Sequence, residues 1–309
     1  MAAKGVLVQR VRGLLRGVYL LWRRYLRHGV AVRSAALAFY LLFTMFPLLV
    51  FLSALLGSLH LEKAELLQGL TQFLPTEVTA FVNGYLDYAA EHSSLRLLLF
   101  GLVFSLYFPA RAASSLMRAV RTAYHLGPLS LRHWLRALLY SGFLLVTIIV
   151  TLALMTAGRR LLDYAARAMG LPGEPVLLWR CLRFPVMALV MYFALFLLYA
   201  MSQDERRQLL WPGVLAALMC WMALSALYSL YVEYVASYSL LYGSLGTAVV
   251  LLMWLYLTAV AWIMGAELNG TLLSLQRERD MNHCISGEML RRTTGGGEPR
   301  EGSFLCRIN

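Results

Sequence analysis

Glu267, in the segment GAELNG, closes an uncharged run, Tyr234–Ala266, that is long enough to cross a bilayer. A carboxylate at such a depth costs several kcal/mol unless it is paired or hydrated, so it needs a cation, water or the interface beside it. Arg111 is its counterpart on another run. Leu97–Ala110 is too short to fill a bilayer core of about 30 Å, so Arg111 either snorkels or sits within the membrane against protein or water. Both residues reach the same half of the membrane in depth, which allows an Arg111–Glu267 pair. The alternative is a carboxylate at the interface beside Asn269. Tyr40, Thr44, Ser105 and Tyr242 are candidate polar lining residues of a cavity between the helices.

Chemistry of the covalent kind has no visible constellation. The histidines (His28, His60, His92, His125, His133, His283) are scattered, with no HxH, HExxH or His–Asp spacing. No carboxylate lies between Arg96 and Asp163, where the basic segment 111–136 with His125 and His133 would need one for hydrolysis. The cysteines Cys181, Cys220, Cys284 and Cys306 lack CxxC spacing, so neither a disulfide framework nor a zinc site is expected. There is no Gly-rich phosphate loop and no GxSxG. The expectation is therefore no catalytic residue, no metal and no cofactor.

The elements that hold these residues are read from charge. Uncharged runs of spanning length occur at Ala35–Leu61, Ala137–Gly158, Phe184–Gln203 and Leu209–Val232 besides Tyr234–Ala266, with Leu97–Ala110 as the short sixth. Hydrophobic residues make up 60% of the chain and charged ones 14%, against about 25% charged in soluble domains. The fold class is all-α: a polytopic membrane protein of six transmembrane helices, spanning about 35–59, 95–117, 137–158, 182–203, 209–233 and 243–268. Pro47, Pro109 and Pro185 fall inside spans, where each removes a backbone hydrogen bond and is expected to kink its helix. Thr44 and Ser105 stand near the carbonyls so freed. Ala261 and Gly265, four apart, allow close helix packing.

Residues 1–33 are basic, without an acid, and are expected to leave the first span as an uncleaved insertion signal. On a helical wheel Arg12, Arg16, Arg23 and Arg27 share one arc, while Val11, Leu14, Leu15, Val18, Leu21, Trp22 and Tyr25 lie opposite. This is an amphipathic interfacial helix, serving either as an anchor or as a gate or lipid-collecting element. Segment 60–93 is acidic and amphipathic, a short external helical segment broken at Pro75; the tail 276–309 is polar and expected to be disordered. Positive charge in 1–34 and 111–136 puts both in the cytoplasm, and six spans return the C-terminus there. Loop 158–183 dissents, being external yet carrying Arg159, Arg160, Arg167, Arg180 and Arg183; an interfacial helix at 159–169 is one use for that charge. The net charge of +12 then speaks for anionic phospholipid at the cytoplasmic face rather than for nucleic acid.

The run YGSLGTAVVLLMWLYLTAVAWIMGAELNGTL (Tyr242–Leu272) resembles the signature of the YihY/virulence factor BrkB family, and SAALAFYLLFTMFPLLVFL (Ser34–Leu52) resembles its opening motif. WPGVLAALMCWMALSALYSLYVEYVASYSLLYGS (Trp211–Ser244) extends the likeness. Pro47, Tyr242, Gly243, Gly246, Trp254, Tyr256, Gly265, Glu267 and Asn269 match the motifs; the stretch RAVRTAY lacks an Asn that the family commonly places there. The resemblance implies a bacterial inner-membrane protein with six spans and both ends cytoplasmic, linked to serum resistance and to lipid or lipopolysaccharide export. It also brings an old ribonuclease BN label that no residue here supports. The functional expectation is a transporter or flippase of an amphipathic, lipid-like, anionic substrate. The alternative is a structural or envelope-assembly protein that moves nothing, and a ribonuclease comes last.

Overall fold

The computed structural model describes residues 16–59, 95–169, 175–203, 210–235 and 244–293. Helix α1 covers 16–27, and six long helices follow: α2 (Val30–Leu59), α3 (Leu95–Ala123), α4 (Leu131–Met169), α5 (Pro175–Met201), α6 (Trp211–Val235) and α7 (Ser244–Thr293). No strand occurs among the described residues. Apolar stretches long enough to cross a membrane lie in α2, α3, α4, α6 and α7, while α5 holds a shorter one at Ala188–Met201. The chain is an all-α polytopic membrane protein.

Helix ends depart from the charge boundaries. Helix α4 runs unbroken over 39 residues to Met169, so 159–169 continues the third span instead of forming a separate interfacial helix. Helix α7 continues over 50 residues to Thr293, so 276–293 is helical where a disordered tail was expected. Charge marks where lipid ends, and a helix with good formers on its polar extension has no reason to stop there. The external segment 60–93 and the tail beyond 293 lie outside the described residues.

Helices α3 and α7 form the centre, each packed on α2, with α4 and α5 against α3 and α6 against α7. Val30, Leu37, Leu116, Met117, Val120, Tyr199, Val214, Ile263 and Ala266 make the main core. Phe100, Val103, Tyr107, Val146, Met219, Leu227 and Val249 stay exposed, as side chains facing hydrocarbon do. With no hydrophobic force between helices inside lipid, close backbone approach must supply the packing. A Cβ on Gly213 would lie 2.1 Å from the Gly265 carbonyl oxygen, and one on Gly101 would lie 2.8 Å from the Phe51 nitrogen. Gly265 thus does what its spacing promised, with a partner glycine on α6.

Candidate functional site

Five long helices start or end at one arginine-rich end, the starts of α2, α4 and α6 and the ends of α3 and α5, and the Glu267–Ser274 stretch of α7 passes among them. A helix C-terminus leaves carbonyls unpaired and partly negative, and arginines supply the donors. Arg121, buried, donates through Nε to Gly127 O (2.7 Å) and through a guanidinium nitrogen to Ser202 O (3.0 Å), tying the α3–α4 turn to the end of α5. The same nitrogen lies 2.8 Å from His133 Nε2. Arg136 reaches Met201 O and Gln203 O, and Arg33 reaches Thr122 Oγ1. These arginines do structural work on carbonyls.

Helix α3 closes on a Schellman turn. Leu126 N donates to Arg121 O (2.8 Å) and His125 N to Thr122 O (3.1 Å), with His125 at φ 55 where glycine usually stands. That turn exposes His125 beside His28, ring to ring at 5.9 Å. Although the side chain is exposed, desolvation of the part of the ring that packs on the protein holds its imidazole below the usual histidine range, and the neighbouring charges of Arg24, His28 and Arg277 add to the effect against the opposing pull of Glu267.

Glu267 is 1% exposed and takes its partners from α1 and the turn that ends it. His28 Nδ1 is 2.6 Å from Glu267 Oε1; a carboxylate only accepts, so the imidazole nitrogen donates. Arg24 lies 3.6 Å from Oε2, close enough for ion pairing but beyond a hydrogen bond, and Oε2 is buried without a hydrogen-bond partner. Arg24 spends its donors on Ala123 O (3.0 Å) and Ser274 Oγ (3.4 Å). Arg24 on α1 and His28 in the turn that ends it, four apart and linked by His28 N to Arg24 O (2.9 Å), face the same side, and Gly29 at φ 60 turns the chain into α2. Farther out, Arg16 and Glu278 pair at 3.0 Å on the surface. Helix α1 therefore docks through Arg24, His28 and Tyr25, and leaves Val18, Tyr19, Trp22 and Leu26 exposed. The helical wheel had singled out neither Arg24 nor His28; the i, i+4 pairing of an arginine with a histidine just before a glycine was the signal available.

Arg111 does not pair with Glu267. Its guanidinium stands over the Tyr40 ring, 5.7 Å from the centroid. The two residues differ in depth: Glu267 stands beside the Ala123 end of α3 through Arg24, whereas Arg111 lies about 18 Å of helix away, in the middle of the Leu99–Ala123 span. Asn269 is fully buried and structural: Oδ1 accepts from Gly213 N (2.7 Å) and Nδ2 donates to Leu210 O (2.7 Å), holding the first turn of α6. Tyr124 also bonds its side chain.

Thr44 and Ser105 line one cavity of about 140 Å³, together with Leu41, Pro109, Leu116, Tyr140, Ser141, Leu195 and Trp262, among α2, α3, α4, α5 and α7. Tyr40 and Arg111 are not in its wall. Nor do the hydroxyls mend the carbonyls released by proline: Thr44 donates to Tyr40 O (2.8 Å) and Ser105 to Leu102 O (3.0 Å), each bonding its own helix elsewhere. Tyr140 and Ser141 donate to Ala194 O and Leu106 O. With every one of these hydroxyls turned to a carbonyl, the cavity wall is hydrocarbon in character. Pro47 is buried and Pro185 exposed, both inside unbroken helices. Tyr242 lies outside the described residues. No cluster of three or more His, Cys, Asp or Glu suited to a metal occurs among the described residues.

Residues 21–283 match the family described as Virulence factor BrkB. The chain is 29% identical over 268 residues to the "Putative ribonuclease-like protein YfkH" of Bacillus subtilis (strain 168), covering 85% of this chain and 97% of that protein. It is 28% identical over 282 residues to a "UPF0761 membrane protein" of Chromohalobacter salexigens, covering 82% of this chain and 62% of the relative. No solved structure matches.

Proposed function

The chain belongs to the virulence factor BrkB family, and from that premise we propose that it is a bacterial inner-membrane transporter, of flippase type, for an amphipathic, lipid-like anion. Its arginine-rich end, with both termini, faces the cytoplasm. The observation that carries this reading is the apolar cavity in the middle of the bundle, set one and a half helical turns from an ionic cluster on the same helix. Trp262 lines the cavity and Glu267 anchors the cluster; five residues of helix separate them by about 7.5 Å. An amphiphile needs that pairing of a dry recess and a charged end. Apolar cavities of this size stay dry and accept hydrocarbon.

The reading includes no covalent step and no cofactor. The ribonuclease-like wording belongs to the Bacillus relative, and purified protein free of contaminating nuclease is expected to leave RNA uncut.

The test is a reconstitution in liposomes carrying a fluorescent short-chain anionic phospholipid, with inside and outside populations told apart by an impermeant quencher. Protein-dependent movement of the anionic lipid, absent with a zwitterionic analogue, is the expected result. Equal movement in protein-free liposomes sinks the transport reading and leaves the envelope-assembly role in its place.

A further inference from the structure

Among the described residues, Glu267 is the one acid that Arg24 and His28 touch, in an otherwise basic neighbourhood. They reach it from α1 and the turn that ends it, His125 stands against His28 at the end of α3, and Arg277 extends from α7 within electrostatic reach of His125. The outer pair, Arg16 and Glu278, neutralise each other. Arg24 and His28 are largely buried, with side chains 13% and 10% exposed, whereas His125 and Arg277 are open to solvent. This is a closed basic floor under an open basic rim.

The carboxylate fits that floor poorly. One oxygen is well held by His28, but Oε2 has no hydrogen bond although a guanidinium is 3.6 Å away. A group with three acceptor oxygens would engage both donors, Arg24 and His28, where a carboxylate engages one well. Arg24 on α1 and His28 in the turn that ends it both lie on the α1 side of Gly29. That helix joins α2 through Gly29, whose surroundings hold nothing within 4 Å of an added side chain.

We propose that Arg24 and His28, rimmed by His125 and Arg277, form a receptor for a phosphate group, and that Glu267 fills it in the empty protein as an internal substitute. The inference rests on the transport reading in giving that phosphate to the amphiphile, whose chain would enter the cavity beside Trp262. Binding of phosphate displaces Glu267 and releases α1 from α7. A built-in competitor lowers apparent affinity by the fraction of protein it occupies, so removing it must tighten binding. An ordinary structural ion pair has no such signature.

The experiment titrates purified full-length protein in detergent with inorganic phosphate, with dioctanoyl phosphatidic acid and with dioctanoyl phosphatidylcholine, read by calorimetry and by native mass spectrometry. Glu267→Gln, which keeps the side-chain shape, is expected to tighten phosphatidic acid binding about tenfold. Arg24→Lys and His28→Gln are expected to weaken it at least about fivefold, and the exposed variants His125→Asn and Arg277→Gln about twofold, more at low salt. Thermal melts of each variant report folding, and the rim variants carry the test should a floor variant fail to fold. Binding that Glu267→Gln weakens or leaves unchanged in a folded protein overturns the proposal, as does wild-type affinity in both rim variants. The sign pattern with phosphatidic acid but not inorganic phosphate identifies a lipid headgroup. The same pattern with inorganic phosphate identifies a free anion and leaves the liposome assay to judge transport alone.

Discussion

Glu267 is buried against Arg24 and His28, so truncating it strands the Arg24 charge and a His28 donor in a place without water. Removing one member of a buried ion pair costs about 3 kcal/mol, much of it from the abandoned partners. Glu267→Ala is expected to lose about that much in detergent unfolding followed by tryptophan fluorescence, and Glu267→Gln, which keeps an acceptor for His28, less than half as much. Equal losses would mean that shape rather than charge is what the site needs. His125 makes a second prediction, with a definite sign. Its folded proton affinity is depressed by partial desolvation first and neighbouring cations second, so the unfolded chain takes up the proton more readily. Stability is then whole above the ordinary histidine value of about 6.5 and erodes as pH falls below it. His125→Asn, which tolerates the left-handed turn, is expected to shrink the drop in melting midpoint between about pH 7.5 and pH 5.5; an undiminished drop would assign the titration elsewhere. The cost of Glu267 was legible from sequence, since an acid at the end of an apolar run needs a partner. Which partner was not, because charge boundaries report depth only coarsely and say nothing of azimuth. Arg111 stands over Tyr40, about 18 Å of helix from the Ala123 level at which Glu267 is held.

At the scale of helices, charge boundaries misjudged where several elements end and which apolar stretch is short: Leu99–Ala123 is long and apolar enough to cross, and the shorter stretch is Ala188–Met201 in α5. The basic residues that marked cytoplasmic edges are spent partly on capping: Arg24, Arg121 and Arg136 bind carbonyls at the ends of α3 and α5, and a sequence cannot tell a capping arginine from a solvated one. Close contacts were half legible. Gly265 was recognised as a small residue at a packing interval, but its partner Gly213, just inside a helix start after Pro212, carried no comparable signal. These glycines separate two opposing effects. Alanine favours a helix over glycine by about 1 kcal/mol, yet a methyl on Gly213 would sit 2.1 Å from a backbone oxygen that cannot rotate away. Overpacking against backbone costs about 1–3 kcal/mol or more, so Gly213→Ala is expected to destabilise. Gly142→Ala, also inside a helix but with nothing within 4 Å, is expected to be neutral or stabilising by up to about 1 kcal/mol. A comparison of melting midpoints in detergent decides it, and matching shifts in the two variants would mean that α6 and α7 lie farther apart.

For the molecule as a whole, an all-α membrane bundle was readable from composition and from the spacing of charge, because lipid imposes its thickness on every span alike. The cavity was foreseen only as a set of polar lining residues, and its character is the reverse: Thr44, Ser105, Tyr140 and Ser141 turn their hydrogens to carbonyls and present carbon to the space. A recess of about 140 Å³ among the helices, partly open to its surroundings, carries a cost where its lining lacks packing partners. A protein under selection for stability alone fills such a space with one larger side chain. Ala113, buried on α3 in the cavity wall, is the position to fill. Ala113→Phe is expected to raise stability by about 1 kcal/mol, a gain typical of cavity filling, and to abolish lipid movement in liposomes. The two readouts moving in opposite directions would tie the recess to function. A stabilised variant that still moves lipid would assign the cavity to imperfect packing, and a destabilised one would show that the wall has no slack for a ring.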